Sequence, residues 1–258
     1  MPKDELFSER VMFKPCVVIP VYNHERAVGS VVNGILAQRL PCILVDDGSG
    51  PGCAAVLDGL AAATPEQITL LRHSVNRGKG GAVMTAIRSA ARAGYSHAVQ
   101  IDADGQHQPA DIPRFLEQSE AKPQALIVGC PKYDETAPSL RLCARYLTHV
   151  WVSINTLSRQ IKDSMCGFRV YPLPAMIELD RRHKLAERMS FDIEVLVRLH
   201  WAGLEIINLP TQVSYPSDGV SHFRGWLDSL LISRLHATLF FGMLARSPAL
   251  IARRWSPL

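Results

Sequence analysis

The feature that most constrains the fold of this chain is a regular alternation of short apolar runs with segments of helical periodicity. Five runs of strand length are separated by four segments in which apolar residues recur every three or four positions. The predicted strands are 16–20, 41–46, 68–72, 98–101 and 125–128, and the predicted helices are 26–38, 53–63, 80–93 and 111–120. This alternation predicts an α/β fold with a mostly parallel, doubly wound sheet flanked by helices.

Composition excludes some classes of protein. A chain of 258 residues with 47% hydrophobic residues can bury the core of one large α/β domain. A net charge of +4 is too small to indicate a nucleic-acid partner, and none is predicted. The six cysteines have no metal-type or CxxC spacing, and the first residues do not resemble a signal peptide. We therefore expect reduced thiols and a cytoplasmic location.

The strongest chemical signal is a pair of carboxylates directly after the predicted strand 98–101. Asp102 and Asp104 are two positions apart and are followed by the amide of Gln106. Oxygen ligands of this kind suit Mg²⁺ or Mn²⁺, which usually also contacts the phosphates of a substrate. A pair of loop aspartates alone is more often a solvated turn, so the prediction depends on the neighbouring strand ends.

Polar motifs also follow two other predicted strands, and a glycine-rich loop precedes the helix 80–93. In parallel sheets ligands bind at the carboxyl ends of the strands. Each motif also has a plainer interpretation as a turn or a helix start. The loop lacks the spacing of a nucleotide-binding P-loop, although its glycines and lysine suit an anion. The motifs are Pro20-Val21-Tyr22-Asn23, Val45-Asp46-Asp47-Gly48-Ser49 and Asn76-Arg77-Gly78-Lys79-Gly80-Gly81.

In their order along the chain these motifs resemble glycosyltransferase family 2, and the most similar branch is the dolichyl- or polyprenyl-phosphate mannosyltransferase type. The resemblance continues through 163–169 and 191–194 and covers roughly residues 16–223. It implies a GT-A fold and a metal-dependent, inverting transfer of a sugar from a UDP- or GDP-sugar to a lipid or lipid-phosphate acceptor. Segments 164–172 and 221–224 also show a weaker likeness to glycosyltransferases of bacterial aryl-polyene pathways.

The resemblance also implies a role for individual residues. The catalytic candidates are Asp192 and, second, Glu194. Mg²⁺ or Mn²⁺ would be held by Asp102, Asp104 and Gln106. The donor nucleotide would contact Pro20, Tyr22, Asn23, Glu25, Asp46, Asp47, Lys79 and Asp102. The acceptor would contact Lys132, Arg141, Arg145, Ser164, Arg169, His222 and Arg224.

The nature of the acceptor stays open at the level of the sequence. A lipid phosphate is already an anion and needs no general base, whereas a hydroxyl acceptor needs a carboxylate base such as Asp192. Asp192 has a plainer interpretation as a helix cap, and the arginines have one as a solvated face. Pro131 and Pro216 stand where the branch usually has arginines, which weakens the lipid-phosphate assignment. A nucleotidyltransferase or a non-catalytic binding module are more distant alternatives.

The segment 219–258 differs from the preceding domain, 1–218. It contains five arginines and one acidic residue, Asp228, among apolar residues at helical spacing. This pattern predicts a basic amphipathic helix that attaches the protein peripherally to the inner face of the cell membrane. The plainer alternative is a helix packed on the core or on a partner. The longest uncharged apolar stretch, 235–245, is shorter than the roughly 20 residues of a membrane span, so no span is predicted.

Overall fold

The computed structural model describes residues 12–133, 139–213 and 225–255. A seven-stranded sheet with strand order β3-β2-β1-β4-β6-β5-β7 is flanked by helices. A short 3-10 turn, Pro109–Asp111, precedes α4. In chain order the elements are β1 (Pro15–Val21), α1 (Val28–Leu36), β2 (Cys42–Asp46), α2 (Pro51–Ala63), β3 (Ile68–Arg72), α3 (Lys79–Arg92), β4 (His97–Gln100), α4 (Ile112–Ala121), β5 (Leu126–Tyr133), α5 (Ser139–Thr156), β6 (Arg169–Pro172), α6 (Leu173–Arg182), α7 (Phe191–Ala202), β7 (Ile206–Val213) and α8 (Gly225–Trp255).

The predicted parallel α/β sheet is confirmed, with one reversed strand. Strands β1 to β4 run parallel, and β7 is parallel to β5. Strand β6 is antiparallel to both β4 and β5, and it pairs Arg169 with Gln100. Because β6 runs backwards, the segment that precedes it meets the carboxyl end of β4. The loop 163–168 is thereby placed at the same edge of the sheet as Asp102.

The strands are apolar along their length because the central part of the sheet is covered on both faces. Two groups of buried side chains fill the space above and below it. One contains Val18, Val45 and α3 residues such as Ile87, and the other contains Ile19 and Phe115. This double cover holds the strand ends, and therefore the polar loops that follow them, in a fixed arrangement.

Two glycines in helices provide a test of the packing around α3. A Cβ atom on Gly80 would lie 2.6 Å from Cβ of Phe191 and would also overlap the carbonyl of Ala186, whereas one on Gly59 meets nothing within 4 Å. We expect Gly80→Ala to lower the free energy of unfolding by about 1–3 kcal/mol through overpacking. Gly59→Ala, the matched control in exposed helix, should raise it by about 0.4–1 kcal/mol. Urea denaturation measures both, and equal effects would contradict the packing described.

Helix α8 is continuous over 31 residues and packs against α5 and α7. The most apolar 18 residues of its segment Gly225–Arg253 have a mean hydropathy of 1.3, and 22% of this stretch is buried inside the protein. By length and composition alone it could cross a bilayer, so the expectation that no segment reaches that criterion was wrong. That expectation counted only uncharged residues, whereas a span tolerates one or two charged ones. Core helices of soluble proteins pass the same test.

A buried histidine at the contact of α5 with α8 predicts a pH dependence of stability. His236 is 5% exposed and lies 3.2 Å from the amide nitrogen of Asn155. Burial lowers the pKa of His236 to about 4. In the unfolded chain this group takes up a proton near pH 6.5. The unfolded state therefore binds more protons between these pH values, and stability falls as the pH falls through this window.

The variant His236→Gln isolates this effect. Wild-type protein should lose on the order of 1 kcal/mol more than the variant between about pH 6.5 and pH 4. Urea denaturation at several pH values measures the difference. Parallel pH profiles for the two proteins would contradict the assignment.

Candidate functional site

The loops after β1 and β2 are joined into a single platform at the carboxyl edge of the sheet. The amide of Asn23 donates to Oγ of Ser49 over 3.1 Å, and the amide of Gly50 donates to Oδ1 of Asn23 over 2.8 Å. Asn23 adopts a positive φ of 53°, a conformation that asparagine tolerates well. Of the predicted donor contacts on this platform, Pro20 and Tyr22 are partly buried and Glu25 is exposed.

The two aspartates at the end of β2 are buried and hold the neighbouring loops. Asp46 accepts from the amide of Ser49 and from Nε of Arg72, at 2.9 and 2.7 Å. Burial alone would raise the pKa of Asp46, but these bonds outweigh it and the pKa lies below its usual value. Asp47 accepts from the amides of Arg77 and Gly78, at 2.9 and 2.7 Å. Asp47 thus shapes the glycine-rich loop, and its contact with a donor stays a prediction.

His73 is a part of this framework that the sequence reasoning missed. Its Nδ1 lies 2.7 Å from Asp47, and its Nε2 lies 2.9 Å from Oγ1 of Thr85 in α3. The ring therefore connects the end of β2 to the helix that follows the glycine-rich loop. No motif surrounds His73 in the sequence, so only the fold shows this role.

Lys79, the first residue of α3, lies between two carboxylates. Its Nζ is 2.8 Å from Oδ2 of Asp102 and 2.9 Å from Oδ2 of Asp192. Burial opposes the charge on Lys79, but the two carboxylates outweigh it and raise the pKa of the ammonium. The same contact outweighs burial at Asp102 and lowers the pKa of that carboxyl. The structure thus brings three of the predicted site residues together as one cluster.

The other oxygen of Asp102 provides a test of whether these residues suit a metal. Within the described part of the chain, Oδ1 of Asp102 is buried without a hydrogen-bond partner. Asp104 lies nearby, and burial together with the charge of Asp102 raises the pKa of Asp104 to about 6. Two close carboxylates, one with an unsatisfied buried oxygen, fit a divalent cation. The described ranges hold no cluster of three His, Cys, Asp or Glu side chains. A cation held by two carboxylates and Gln106 would therefore have few protein ligands, and its other coordination positions would be open to phosphate oxygens.

The loop 163–168 packs directly on this cluster. A Cβ atom on Gly167 would lie 2.5 Å from both Nζ of Lys79 and Oδ2 of Asp102, so any larger residue there would displace the side chains of the cluster. Asp163 anchors the loop, because its Oδ1 accepts from the amides of Met165 and Cys166 at 2.9 and 2.7 Å. Neither role was predicted, although both residues lie in the motif 163–169.

Three of the predicted acceptor ligands are buried or paired with other parts of the protein. Arg169 is fully buried and donates to the carbonyls of Cys166, Ser164 and Asp192, so its assignment as a phosphate ligand is corrected. Ser164 is also fully buried. Arg145 forms two bonds of 2.6 Å with Asp163. The sequence shows the charge of an arginine but not the acceptors that its folded neighbours provide.

The remaining predicted acceptor residues are less constrained. Lys132 is exposed on β5. Arg141 lies in α5, but its side chain is outside the described residues. His222 and Arg224 also lie outside the described residues. These four stay predictions.

The two candidate bases differ in their surroundings. Glu194 is buried, accepts from the amide of Ala186 at 2.7 Å and pairs with Arg198 at 2.8 Å, so it holds α7 in place and its assignment as a base is corrected. Asp192 is 4% exposed and faces Lys79. Ser190, not Asp192, occupies the N-cap position of α7.

A layer of buried polar groups lies beneath Asp192. The amide nitrogen of Gln100 lies 3.4 Å from Oδ1 of Asp192, and the hydroxyl of Tyr171 donates to the other end of that amide over 3.0 Å. Gln100 is the last residue of β4, directly before the site. This layer fixes the carboxylate of Asp192 from below.

Comparison with known proteins identifies the family to which this arrangement belongs. Residues 16–171 match the family model described as glycosyl transferase family 2. The chain belongs to glycosyltransferase family 2. The matched region covers β1 to β6, and it includes the glycine-rich loop, Asp102, Asp104 and the loop 163–168.

Relatives of this family 2 glycosyltransferase include enzymes named for lipid-phosphate acceptors. Polyprenol monophosphomannose synthase of Mycolicibacterium smegmatis is 27% identical over 216 residues, which cover 81% of this chain and 80% of that protein. Undecaprenyl-phosphate mannosyltransferase of Micrococcus luteus is 26% identical over 200 residues, which cover 75% of this chain and 80% of that protein.

Solved structures confirm the GT-A-like fold of this family 2 glycosyltransferase. Glucosyl-3-phosphoglycerate synthase from Mycobacterium tuberculosis, in complex with Mn²⁺, UDP-glucose and phosphoglyceric acid, aligns with a TM-score of 0.65 at 17% identity, covering 94% of this chain and 84% of that one. Mannosyltransferase PcManGT from Pyrobaculum calidifontis, in complex with GDP-Man and Mn²⁺, aligns with a TM-score of 0.58 at 16% identity. The alignment covers 90% of this chain and 64% of that one.

Proposed function

We propose that this protein is a metal-dependent, inverting glycosyltransferase that moves a sugar from a UDP- or GDP-sugar to a lipid phosphate. The observation that carries the proposal is the cluster at the carboxyl edge of the sheet. There Asp102 has an unpartnered buried oxygen beside Asp104, and Lys79 neutralises its other oxygen. Relatives named for polyprenol and undecaprenyl phosphate support the acceptor class.

The site places carboxylates that could hold a cation, together with an ammonium and a helix N-terminus, where a leaving diphosphate would be released. Asp102, Asp104 and Gln106 would hold Mg²⁺ or Mn²⁺, which would neutralise the negative charge on the leaving nucleoside diphosphate. Lys79 and the amides at the start of α3 add charge and dipole that are already in place before the reaction. The platform of Tyr22 and Asn23 lies at the same edge and is the proposed contact for the nucleotide.

The surroundings of Asp192 favour a phosphate acceptor over a hydroxyl acceptor. A general base must reach the proton that it removes. Both oxygens of Asp192 already have neighbours, Gln100 at 3.4 Å and Lys79 at 2.9 Å, and Arg169 lies 3.9 Å away. Asp192 is therefore better placed to hold Lys79 than to remove a proton. A phosphate acceptor, which needs no base, fits this arrangement.

The proposed acceptor class implies that the enzyme works at a membrane. A lipid-linked acceptor lies in a bilayer, so we propose peripheral attachment at the inner face of the cell membrane, where cytoplasmic nucleotide sugars are available. Exposed Lys132 on β5, with Arg141, His222 and Arg224, are the proposed contacts for the acceptor phosphate.

Thermal unfolding with nucleotide diphosphates tests the donor site. We expect UDP or GDP to raise the melting temperature in the presence of Mn²⁺ or Mg²⁺ and to do so weakly without it. A ligand at about 100 times its Kd stabilises the protein by about 2.7 kcal/mol. Asp104→Asn is the control, because it should abolish the metal-dependent part of the shift. An equal shift with and without metal would contradict the metal site, and no shift with any nucleotide would contradict the donor assignment.

A further inference from the structure

Exposed apolar side chains are concentrated on two helices. Of the 13 exposed large hydrophobic residues in the described part of the chain, 11 lie on α5 and α8, the others being Met12 and Val75. Contiguous exposed apolar surface of this kind marks an interaction site. The 11 residues are Tyr146, Leu147, Val150, Trp151 and Ile154 on α5 and Trp226, Leu227, Leu230, Phe241, Leu244 and Ile251 on α8.

Helix α8 has two apolar faces. Leu235, Leu239 and Met243 are buried against the rest of the protein. Trp226, Leu230, Phe241, Leu244 and Ile251 follow one another at intervals of helical periodicity on the opposite face, and Trp226 is 95% exposed. A helix that only packed on the core would carry polar residues outward. The outer face of α8 is therefore built for a second apolar contact.

Helix α5 continues this surface. Thr148 and Val152 face inward, whereas Tyr146, Leu147 and Val150 face outward with exposures of 70%, 60% and 39%. The ring of Trp151 meets Phe240 edge-on, with centroids 6.4 Å apart, and Phe240 in turn contacts Phe241. These rings join the outer faces of the two helices into one surface, here called the α5–α8 face.

Basic residues predominate on the two helices. Their sequences contain six arginines and a single acidic residue, Asp228, whose side chain is buried. Among them Arg234 is exposed on α8. Arg234 follows Leu230 by four residues and so lies on this face, and no acidic side chain of either helix is exposed in the described part of the chain. Such a face is complementary to an anionic lipid surface.

We propose that the α5–α8 face binds the surface of an anionic lipid bilayer, with α5 contributing as much as α8. This inference rests on the proposed function, because a lipid-phosphate acceptor must be reached at a bilayer. Helix α8 lies along the membrane surface and does not cross it, since Leu239 and Met243 are held in the core. The sequence predicted attachment through the tail alone, whereas the proposed membrane contact also includes α5.

The position of α5 connects this face to the catalytic cluster. On the side of α5 away from Tyr146 and Val150, Arg145 pairs with Asp163, and Nε2 of His149 lies 3.4 Å from the same carboxylate. Asp163 anchors the loop whose Gly167 packs on Lys79 and Asp102. The bilayer would therefore lie one helix away from the loop that packs on this cluster, which suits an acceptor whose phosphate must reach the sugar of the donor.

Sedimentation with vesicles of phosphatidylcholine and phosphatidylglycerol tests the proposal on the full chain without donor. We expect Leu147→Glu with Val150→Glu in α5 to weaken vesicle binding by at least about tenfold, and Phe241→Glu with Leu244→Glu in α8 to do the same. Val75→Glu, which changes an apolar residue exposed elsewhere, is the matched control and should bind as wild type does. Unchanged melting temperatures establish that the variants fold.

Two outcomes would overturn the proposal. Wild-type binding by the α5 variant would show that α5 is not part of the face. A dimer in wild type that both variants disrupt in the absence of vesicles would assign the face to a second copy of the chain.

Transfer to a water-soluble short-chain prenyl phosphate separates this inference from the proposed function. All variants should retain this transfer activity within about twofold of wild type. If wild-type protein itself shows no transfer, the proposed function is contradicted, and vesicle binding remains as an independent result.

Discussion

Replacing Asp104 with asparagine is expected to lower kcat/KM for sugar transfer by about 10³-fold or more. The substitution removes one of two carboxylate charges at the site proposed for Mg²⁺ or Mn²⁺, and the charge on the leaving diphosphate then lacks its counter-charge. The fold should be unaffected, because Asp104 is partly exposed and its one described bond, to the amide of Gln106, can also be accepted by the amide oxygen of asparagine. Transfer of radiolabelled sugar to a prenyl phosphate measures the loss.

Asp58→Asn is the matched control for this experiment. Asp58 is an aspartate on α2 with a 60% exposed side chain, and it pairs with the exposed Arg72. Its replacement should change the rate by less than about twofold, since exposed ion pairs contribute little. Activity retained in Asp104→Asn would contradict the metal site.

Replacing Asp163 with alanine is expected to lower the free energy of unfolding by about 3–5 kcal/mol. The side chain of Asp163 is 5% exposed, and it holds Arg145 through two bonds of 2.6 Å. It also accepts from the amides of Met165 and Cys166. Its removal takes two charge-assisted hydrogen bonds from a largely buried guanidinium and one acceptor from two amides, and the loss of such buried bonds is costly.

The bidentate pair of Arg88 with Asp180 is the matched control for Asp163. Both of its bonds are 2.7 Å long, but the side chains of Arg88 and Asp180 are 39% and 20% exposed. We expect Asp180→Ala to lower the free energy of unfolding by about 1 kcal/mol or less, because solvent screens the pair. Urea denaturation of both variants measures the difference. Equal losses would show that the anchoring of the loop by Asp163 adds nothing beyond the ion pair.

The Asp104 and Asp163 variants also distinguish an effect on catalysis from an effect on stability. Asp104→Asn should lose activity with normal stability, whereas Asp163→Ala should lose stability first. In any folded fraction of Asp163→Ala, the loop carrying Gly167 is no longer held against Lys79 and Asp102. We therefore expect that fraction to have a lower kcat, which single-turnover measurement at low temperature would show.

Local pattern determined much of the fold of this protein. Apolar runs at strand length and apolar residues at helical spacing predicted β1 to β5 and α1 to α4, because burial of one face imposes a period on the sequence. The order of these elements predicted the parallel sheet, and the parallel sheet places the ends of β1, β2 and β4 at one edge. That edge brings Asp102 and Lys79 together, as the structure confirms. The same periodicity indicated the helix of the tail.

Only the tertiary structure decided what the charged side chains do. Arg145, Arg169 and Glu194 are charged groups in promising motifs, yet the fold gives each of them buried partners and a structural task. Strand β6 runs backwards, which no local pattern showed, and it carries Gly167 onto Asp102. The outer face of α8 became visible only once the inner face was seen to be buried. The physical reason is the same in each case: periodicity depends on residues a few positions apart, whereas the partners of a charge lie far away in the sequence and are set by packing.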